Sequence, residues 1–399
     1  MRKMILLLTL LSFTSGSRHH RSYSSLSRGD FVKIICGASN NDVPLVRNLC
    51  YVYTLAGVDC IDISADSAIV SAANEGISSA YRDYSSELLS HSSSSSSSPP
   101  RLMISVNDDD SDPHFRRAQF DPTRCPVECP RPCEKSCPAF AIPPPAKESF
   151  QGVITDKCYG CGRCVPVCPL GLIQTESYVV DRGSIQRLIA SGEAQALEIH
   201  TQSGHEESFA HLWAEIGGTV LRNAQLLAIS LPDRGNDLTY AYMTSIQRIL
   251  ERHTDWGSFT GRQIWQLDGR PMSGDIGRGT ARAAVELGQR MLLLDKAAGE
   301  DSLFRSSKRE GAAGFVQLAG GTNDYSIKLC GEVGLTGQRG FGGLAFGGYA
   351  RKEMGKVLRS LDADSPGARI ESHPQVLATC LEIAHRLIDP IKCVKKVYG

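Results

Sequence analysis

Leu102-Met-Ile-Ser-Val106 runs straight into Asn107-Asp-Asp-Asp-Ser-Asp112, and the next segment with helical periodicity begins only near Asp181. The first five residues are mostly apolar, as in a strand covered on both faces, and the polar run ends them. A strand whose outgoing connection is that long carries an insertion. Similar short runs recur at Phe31–Cys36, Cys60–Ser64, Ala196–Thr201, Leu226–Ser230, Gln263–Leu267, Phe315–Ala319 and Leu344–Gly347, which makes eight in all. Helical patterns lie between them. Val43–Leu55 sets Val43, Val46, Leu49, Val52 and Leu55 on one stripe, and Ser184–Ala190, His205–Glu215, Leu238–Glu251, Arg278–Leu294 and Pro374–Asp389 also suit helices. Strand–helix alternation repeated eight times predicts an α/β fold, a parallel (β/α)8 barrel; the alternative is an open doubly wound sheet. The insertion then follows the third strand, at the carboxyl-terminal face where barrels build their sites.

These readings divide the chain into a targeting leader (1–29), a first part of the barrel (30–111), an insertion (112–178) and the remainder of the barrel (179–399). Residues 1–29 contain no acidic side chain but carry Arg2, Lys3, Arg18, Arg21 and Arg28 among seven serines; Arg2-Lys3 before Met4–Phe13 reads as the start of a secretory signal, and the Arg/Ser-rich stretch that follows as an organellar transit segment, which the cysteine cluster favours. The plastid is the expected compartment and the cytoplasm the alternative. Residues 85–100, with seven consecutive serines at Ser92–Ser98 before Pro99-Pro100, read as a disordered surface loop.

Composition narrows the function. Lys plus Arg total 43 and Asp plus Glu total 43, so no excess charge exists to neutralise phosphates, and no nucleic acid partner is expected. The strongest apolar run, Met4–Phe13, is shorter than the ~20 residues of a spanning helix, so no transmembrane segment is expected.

Eight of the 14 cysteines lie between Cys125 and Cys168. Cys158-Tyr-Gly-Cys161-Gly-Arg-Cys164-Val-Pro-Val-Cys168-Pro169 is C-x2-C-x2-C-x3-C-P, the bacterial ferredoxin run. Three thiolates at this spacing wrap one corner of a cubane, Gly160 and Gly162 let the chain curl, and the fourth cysteine reaches another cluster. Cys125, Cys129, Cys133 and Cys137-Pro138 are spaced x3, x3, x3, a departure that leaves their cluster open to being distorted, labile or three-iron. Pairing the halves predicts one [4Fe–4S] cluster on Cys137, Cys158, Cys161 and Cys164 and another on Cys125, Cys129, Cys133 and Cys168. Zinc is the weaker alternative, because zinc fours come as two C-x2-C pairs. Arg124, Arg131, Lys135 and Arg163 lie around the cysteines, either raising a cluster's potential or simply solvated. The other six cysteines, Cys36, Cys50, Cys60, Cys330, Cys380 and Cys393, read as small buried hydrophobes.

On the barrel, Leu318-Ala-Gly-Gly-Thr322 follows the seventh strand and Phe341-Gly-Gly-Leu-Ala-Phe-Gly-Gly-Tyr-Ala-Arg351 covers the eighth. Gly320, Gly321, Gly347 and Gly348 would let backbone N–H groups approach an anion, so a flavin or other phosphate-bearing ligand is expected there, against the reading that they only permit tight turns. Asp268, Arg270 and Asp275, after the sixth strand, would bind that ligand, bond the neighbouring insertion, or form a salt-bridged loop. His200 ends the fourth strand and Asp233 follows the fifth; a lone strand-end histidine is more often structural than an acid or base. No catalytic residue is assigned.

Seven stretches together, Ile35–Ser39, Tyr53–Gly57, Asp112-Pro-His-Phe-Arg116, Arg131–Lys135, Cys158–Pro169, Asp268–Gly277 and Gln317–Asn323, resemble the light-dependent-period (LdpA) iron–sulfur family of cyanobacteria and its plastid relatives. The resemblance spans about residues 31–360. It implies a two-cluster protein that links redox state to circadian period in cyanobacteria, and carries over residue by residue to the eight cysteines alone. The leading expectation is a redox sensor or electron-transfer protein working with a redox partner protein or a small-molecule electron donor or acceptor. Its rivals are an iron–sulfur oxidoreductase that uses a barrel-bound flavin or phosphate ligand, and a protein whose clusters are structural only.

Overall fold

The computed structural model describes residues 24–88, 98–144, 150–235, 237–270, 277–304 and 314–392. Residues 1–23 of the expected leader, residues 89–97 of the serine tract, Asp275 and Cys393 lie outside the described residues.

Ten strands are described: β1 (Phe31–Ile35), β2 (Cys60–Ser64), β3 (Arg101–Asn107), β4 (Arg116–Gln119), β5 (Gln174–Ser177), β6 (Ala196–His200), β7 (Leu226–Pro232), β8 (Arg262–Asp268), β9 (Gly314–Ala319) and β10 (Phe341–Phe346). Eight of them close a parallel barrel in the order β1-β10-β9-β8-β7-β6-β3-β2. The expected (β/α)8-type architecture is therefore the one observed, and the sheet is not open. Between β3 and β6, β4 and β5 pair antiparallel at the base of the inserted module.

The helices are α1 (Ser24–Arg28), α2 (Val43–Leu55), α3 (Ser67–Leu88), α4 (Pro132–Ser136), α5 (Cys164–Val167), α6 (Arg182–Ala190), α7 (Glu206–Asn223), α8 (Leu238–Glu251), α9 (Arg278–Ala297), α10 (Asp324–Glu332), α11 (Gly348–Asp364) and α12 (Pro374–Lys392). None of the described helices is long and apolar enough to cross a membrane.

Several elements differ from the sequence expectation. Helix α3 was not expected, because small residues carry part of its buried stripe, Ile69, Val70, Ala73, Ile77 and Ala80. It also takes residues 85–88 out of the expected serine-rich loop. Helix α10 is short and is held at its start by an Asn323–Ser326 capping box. Helix α7 continues past Glu215 through Gly217, where a Cβ would lie 2.9 Å from His253. Ser24–Arg28, at the end of the expected leader, is a helix whose Leu26 is fully buried.

Strand alternation sorts the side chains. One face of each strand, including Val32, Ile34, Ile61, Ile63, Leu102, Ile104, Leu197 and Ile199, packs with the surrounding helices in the main core. The other face fills the barrel in layers. At the amino-terminal end Phe31, Cys60, Met103, Ala196, Leu226, Ala228 and Ile264 form an apolar floor, closed from below by Leu26. Two residues further along the strands the interior turns polar, with Lys33, Asp62, Ser105, Glu198, Ser230, Gln266 and Gln317 all buried. Closure between β1 and β10 depends on Gly343. Its φ is +144°, and a Cβ there would lie 2.0 Å from the Phe31 carbonyl oxygen, an approach only glycine permits.

Candidate functional site: a barrel-mouth cavity beneath a cysteine module

The polar layer of the barrel is a connected network. Lys33 pairs with Glu198, both fully buried. Glu198 Oε1 lies 3.1 Å from His200 Nε2, and His200 Nδ1 lies 3.3 Å from Asp112 Oδ2. His114 Nδ1 lies 2.8 Å from Asp112 Oδ1. Gln266 Nε2 donates to Glu198 Oε1 at 2.7 Å and to Ser230 Oγ at 3.0 Å. Ser105 donates to Asp62 and Ser230 to Asp268, each at 2.7 Å. Asp62 Oδ2, Gln266 Oε1 and both side-chain polar atoms of Gln317 are enclosed without a hydrogen-bond partner, and of these three residues Asp62 and Gln266 line the cavity described next.

Burial in a charged neighbourhood sets the protonation states. Burial, reinforced by Glu198, pushes the Asp62 carboxyl up to about 7. For Glu198 the same burial is outweighed by Lys33 and His200, which hold it low and ionised. Burial also opposes charge on His200, but Asp112 and Glu198 raise it well above its ordinary value, so it stands as an imidazolium. Asp112 is held far down by His114 and His200 against its own burial. Burial raises Asp268.

Above this network lies a cavity of about 120 Å3 between the barrel mouth and the module. Asp62, Glu198, His200 and Gln266 line it from the barrel interior, and His114, Tyr159, Cys161 and Arg163 from the module side. All six ligand residues expected from sequence, Asp268, Arg270, Gly320, Gly321, Gly347 and Gly348, also line it. Gly320 and Gly321 form the turn after β9, and Gly347 and Gly348 open α11 after β10. Asp233 stands apart, paired with Arg290.

The sequence reading missed Lys33, Asp62, Glu198, Gln266, Asp112, His114 and Arg351. The first four sit inside short apolar strand runs, and a charged or amide residue at such a position must find a partner or a ligand. That was the available signal.

In the module, β4 and β5 bring the two cysteine segments back over the barrel. Cys137, Cys158, Cys161 and Cys164 line a second cavity together with Ala118, Ala141, Ile142 and Val153. Ala118 N–H points to Cys158 Sγ at 3.4 Å and Ala141 N–H to Cys137 Sγ at 3.3 Å. Gly160 and Gly162 have φ of +72° and +70°, and a Cβ at 160 would lie 2.2 Å from the Arg116 carbonyl oxygen, so the expected curl requires glycine there. This set of donors, four thiols converging in one apolar pocket with N–H groups aimed at sulfur, fits a cubane.

The other four cysteines sit in a more open arrangement. Cys133 is buried, whereas Cys125, Cys129 and Cys168 are part-exposed. Burial and its neighbour Cys129 raise the Cys125 thiol. Burial also acts upward on Cys168, but the N–H groups of Leu172, Leu170, Ile173 and Gly171 outweigh it and hold that thiol below its usual value. Cys36, Cys50, Cys60, Cys330 and Cys380 are buried.

Module and barrel are tied by specific contacts. The Arg351 guanidinium lies 4.4 Å from the Tyr159 ring centroid and donates to the Ile35 carbonyl at 2.8 Å. Arg359 lies 3.8 Å from the Phe140 ring, and Tyr178 donates to Ser39 at 2.8 Å.

A closed parallel barrel with a cysteine-rich cluster module over its mouth defines the class of protein: an iron–sulfur protein built on an α/β barrel. Residues 125–179 match the LdpA Fe-S cluster-binding domain, and residues 188–390 match the light dependent period A C-terminal domain. The chain is 39% identical over 371 residues to a protein called light dependent period A from the cyanobacterium Synechococcus elongatus, covering 92% of this chain and 93% of that relative. The chain belongs to the light dependent period A family.

Proposed function

We propose that this protein is a two-cluster redox sensor in which the state of one [4Fe–4S] cluster is felt at the barrel mouth. The observation that carries this reading is the position of Cys161: it lines the module cavity with Cys137, Cys158 and Cys164, and it also lines the barrel-mouth cavity. A bound cluster would supply one-electron chemistry. The chain's own residues set its surroundings. The Ala118 and Ala141 N–H groups point to ligand sulfurs, and Arg163 stands in the same loop, so the more negative reduced state is stabilised. Tyr159, next to ligand Cys158, carries Arg351 on its ring, so a change of charge in the module acts on a cation of the cavity.

The remaining quartet, Cys125, Cys129, Cys133 and Cys168, is proposed to hold the second cluster nearer the surface, where a redox partner protein or a small electron donor or acceptor reaches it. The name of the cyanobacterial relative links it to light, and a plastid location, supported by the Arg/Ser-rich, acid-free leader, would place this chain in an organelle whose redox state follows light. A second reading, an iron–sulfur oxidoreductase, is favoured by one observation: Asp62 and His200, both proton-active, line the same cavity as Cys161.

The deciding experiment is iron and sulfide analysis of anaerobically purified protein, with absorption and paramagnetic resonance spectra before and after dithionite. Two cubanes predict about eight iron per chain and a broad band near ~400 nm. About four iron would overturn the second cluster, and clusters that no accessible reductant reduces would leave only the structural role.

A further inference from the structure

We propose that the barrel-mouth cavity binds a small hydroxylated phosphate ester, with its phosphate at the glycine-rich rim and its hydroxyl groups on the polar floor. The rim supplies the anion end. Gly320-Gly321 turns after the seventh strand of the barrel and Gly347-Gly348 opens the 17-residue helix α11 after the eighth. Backbone N–H groups at such places, with the positive end of the helix, suit phosphate. Arg163 and Arg351 add cationic charge on the same cavity, and the Nε of each is enclosed without a hydrogen-bond acceptor.

The floor asks for something else. Asp62 and Gln266, 0% and 1% exposed, each present an oxygen that no protein group donates to. Buried acceptors of this kind are matched by donors. Lys33 and His200 are both already paired with Glu198, and a hydroxyl group, which donates and accepts, answers these oxygens without bringing a further charge into the barrel. A cavity of about 120 Å3 is small beside the 300–1,000 Å3 clefts of larger ligands. The ligand is therefore one short polyol phosphate, not a whole flavin.

The test is calorimetry on the full-length, iron-loaded protein under anaerobic conditions, with three probes: glycerol 3-phosphate, inorganic phosphate and glycerol. Glycerol 3-phosphate is expected to bind at least tenfold more tightly than inorganic phosphate, and glycerol not measurably. Arg351→Gln and Arg163→Gln are expected to weaken both phosphates tenfold or more. Gln266→Met is expected to reduce the advantage of glycerol 3-phosphate over inorganic phosphate while leaving the latter within twofold. Retention of the cluster absorption band reports that the module of each variant is intact, and an unchanged far-ultraviolet circular dichroism spectrum and denaturant midpoint report that the barrel is folded. The proposal is overturned if neither phosphate binds, if the two bind equally, or if the arginine variants bind like the parent. The cluster count is read separately from iron content, so a one-cluster result leaves the calorimetry to decide this site.

Discussion

Asp62 sits in the middle of Cys-Ile-Asp-Ile-Ser, with apolar neighbours that point outward while it points in. Its carboxyl is pushed up to about 7 by burial and by Glu198, whereas an unfolded chain releases the same proton near 3.8. Between those values the folded protein holds more protons than the unfolded one, so this residue makes stability fall as pH rises from about 4 to 7. His200 acts in the next window: its contribution is present below its ordinary value of 6.5 and is lost as pH climbs through its raised folded value. Asp62→Asn should remove the lower slope and leave the upper one. Denaturant midpoints of both proteins at pH 5 and pH 7 would show it, and parallel slopes for the two would refute the assignment. Lys33, Asp62 and Glu198 were legible in principle, as charges within strand runs. What hid their role is that an isolated charge in a strand does not say which other strand answers it.

At the scale of elements, α1 shows the limit of composition. Ser24–Arg28 lies in a basic, serine-rich stretch and reads as part of a leader, yet Leu26 seals the amino-terminal end of the barrel against Phe31, Cys60 and Ile264. Burial is settled by contacts that composition does not encode. Leu26→Ala should cost about 2–5 kcal/mol of stability, as for other fully buried leucines. The change is measurable in the denaturant midpoint of the iron-loaded protein, and a loss under about 0.5 kcal/mol would mean that α1 does not plug the barrel. Helix α3 was missed for a related reason, since alanines and serines carry little periodic signal although the barrel covers them. The eight strand positions, by contrast, were readable, because a parallel strand buried on both faces is a short apolar run wherever it lies.

For the whole molecule, the cysteine module and the barrel are coupled through a small set of contacts, Tyr159 with Arg351, Phe140 with Arg359 and Tyr178 with Ser39. Metal binding supplies folding free energy to small cysteine-rich modules. Removal of iron by a chelator should therefore speed amide hydrogen exchange across residues 116–177 while β6, β7 and β8 stay protected. Unchanged exchange in the module would show that it holds its shape without clusters. The six glycine-loop and Asp268/Arg270 positions inferred from sequence do come together at one cavity, because loops that follow parallel strands must emerge on one face of a barrel.

By itself the sequence determined the eight strands of the barrel, the insertion that follows the third of them and the cysteine spacing, all of which are read from runs along the chain; the β4–β5 pair of the insertion was not among them. Only the tertiary structure decided that the barrel closes, that Cys161 faces both cavities, and that Lys33, Glu198, His200 and Asp112 form one chain of charges. Those facts join residues far apart in the chain, such as Lys33 with Glu198 and, at closure, Phe31 with Gly343. Barrel closure, strand register and the close approach at Gly343 set these distances, and no local pattern carries them.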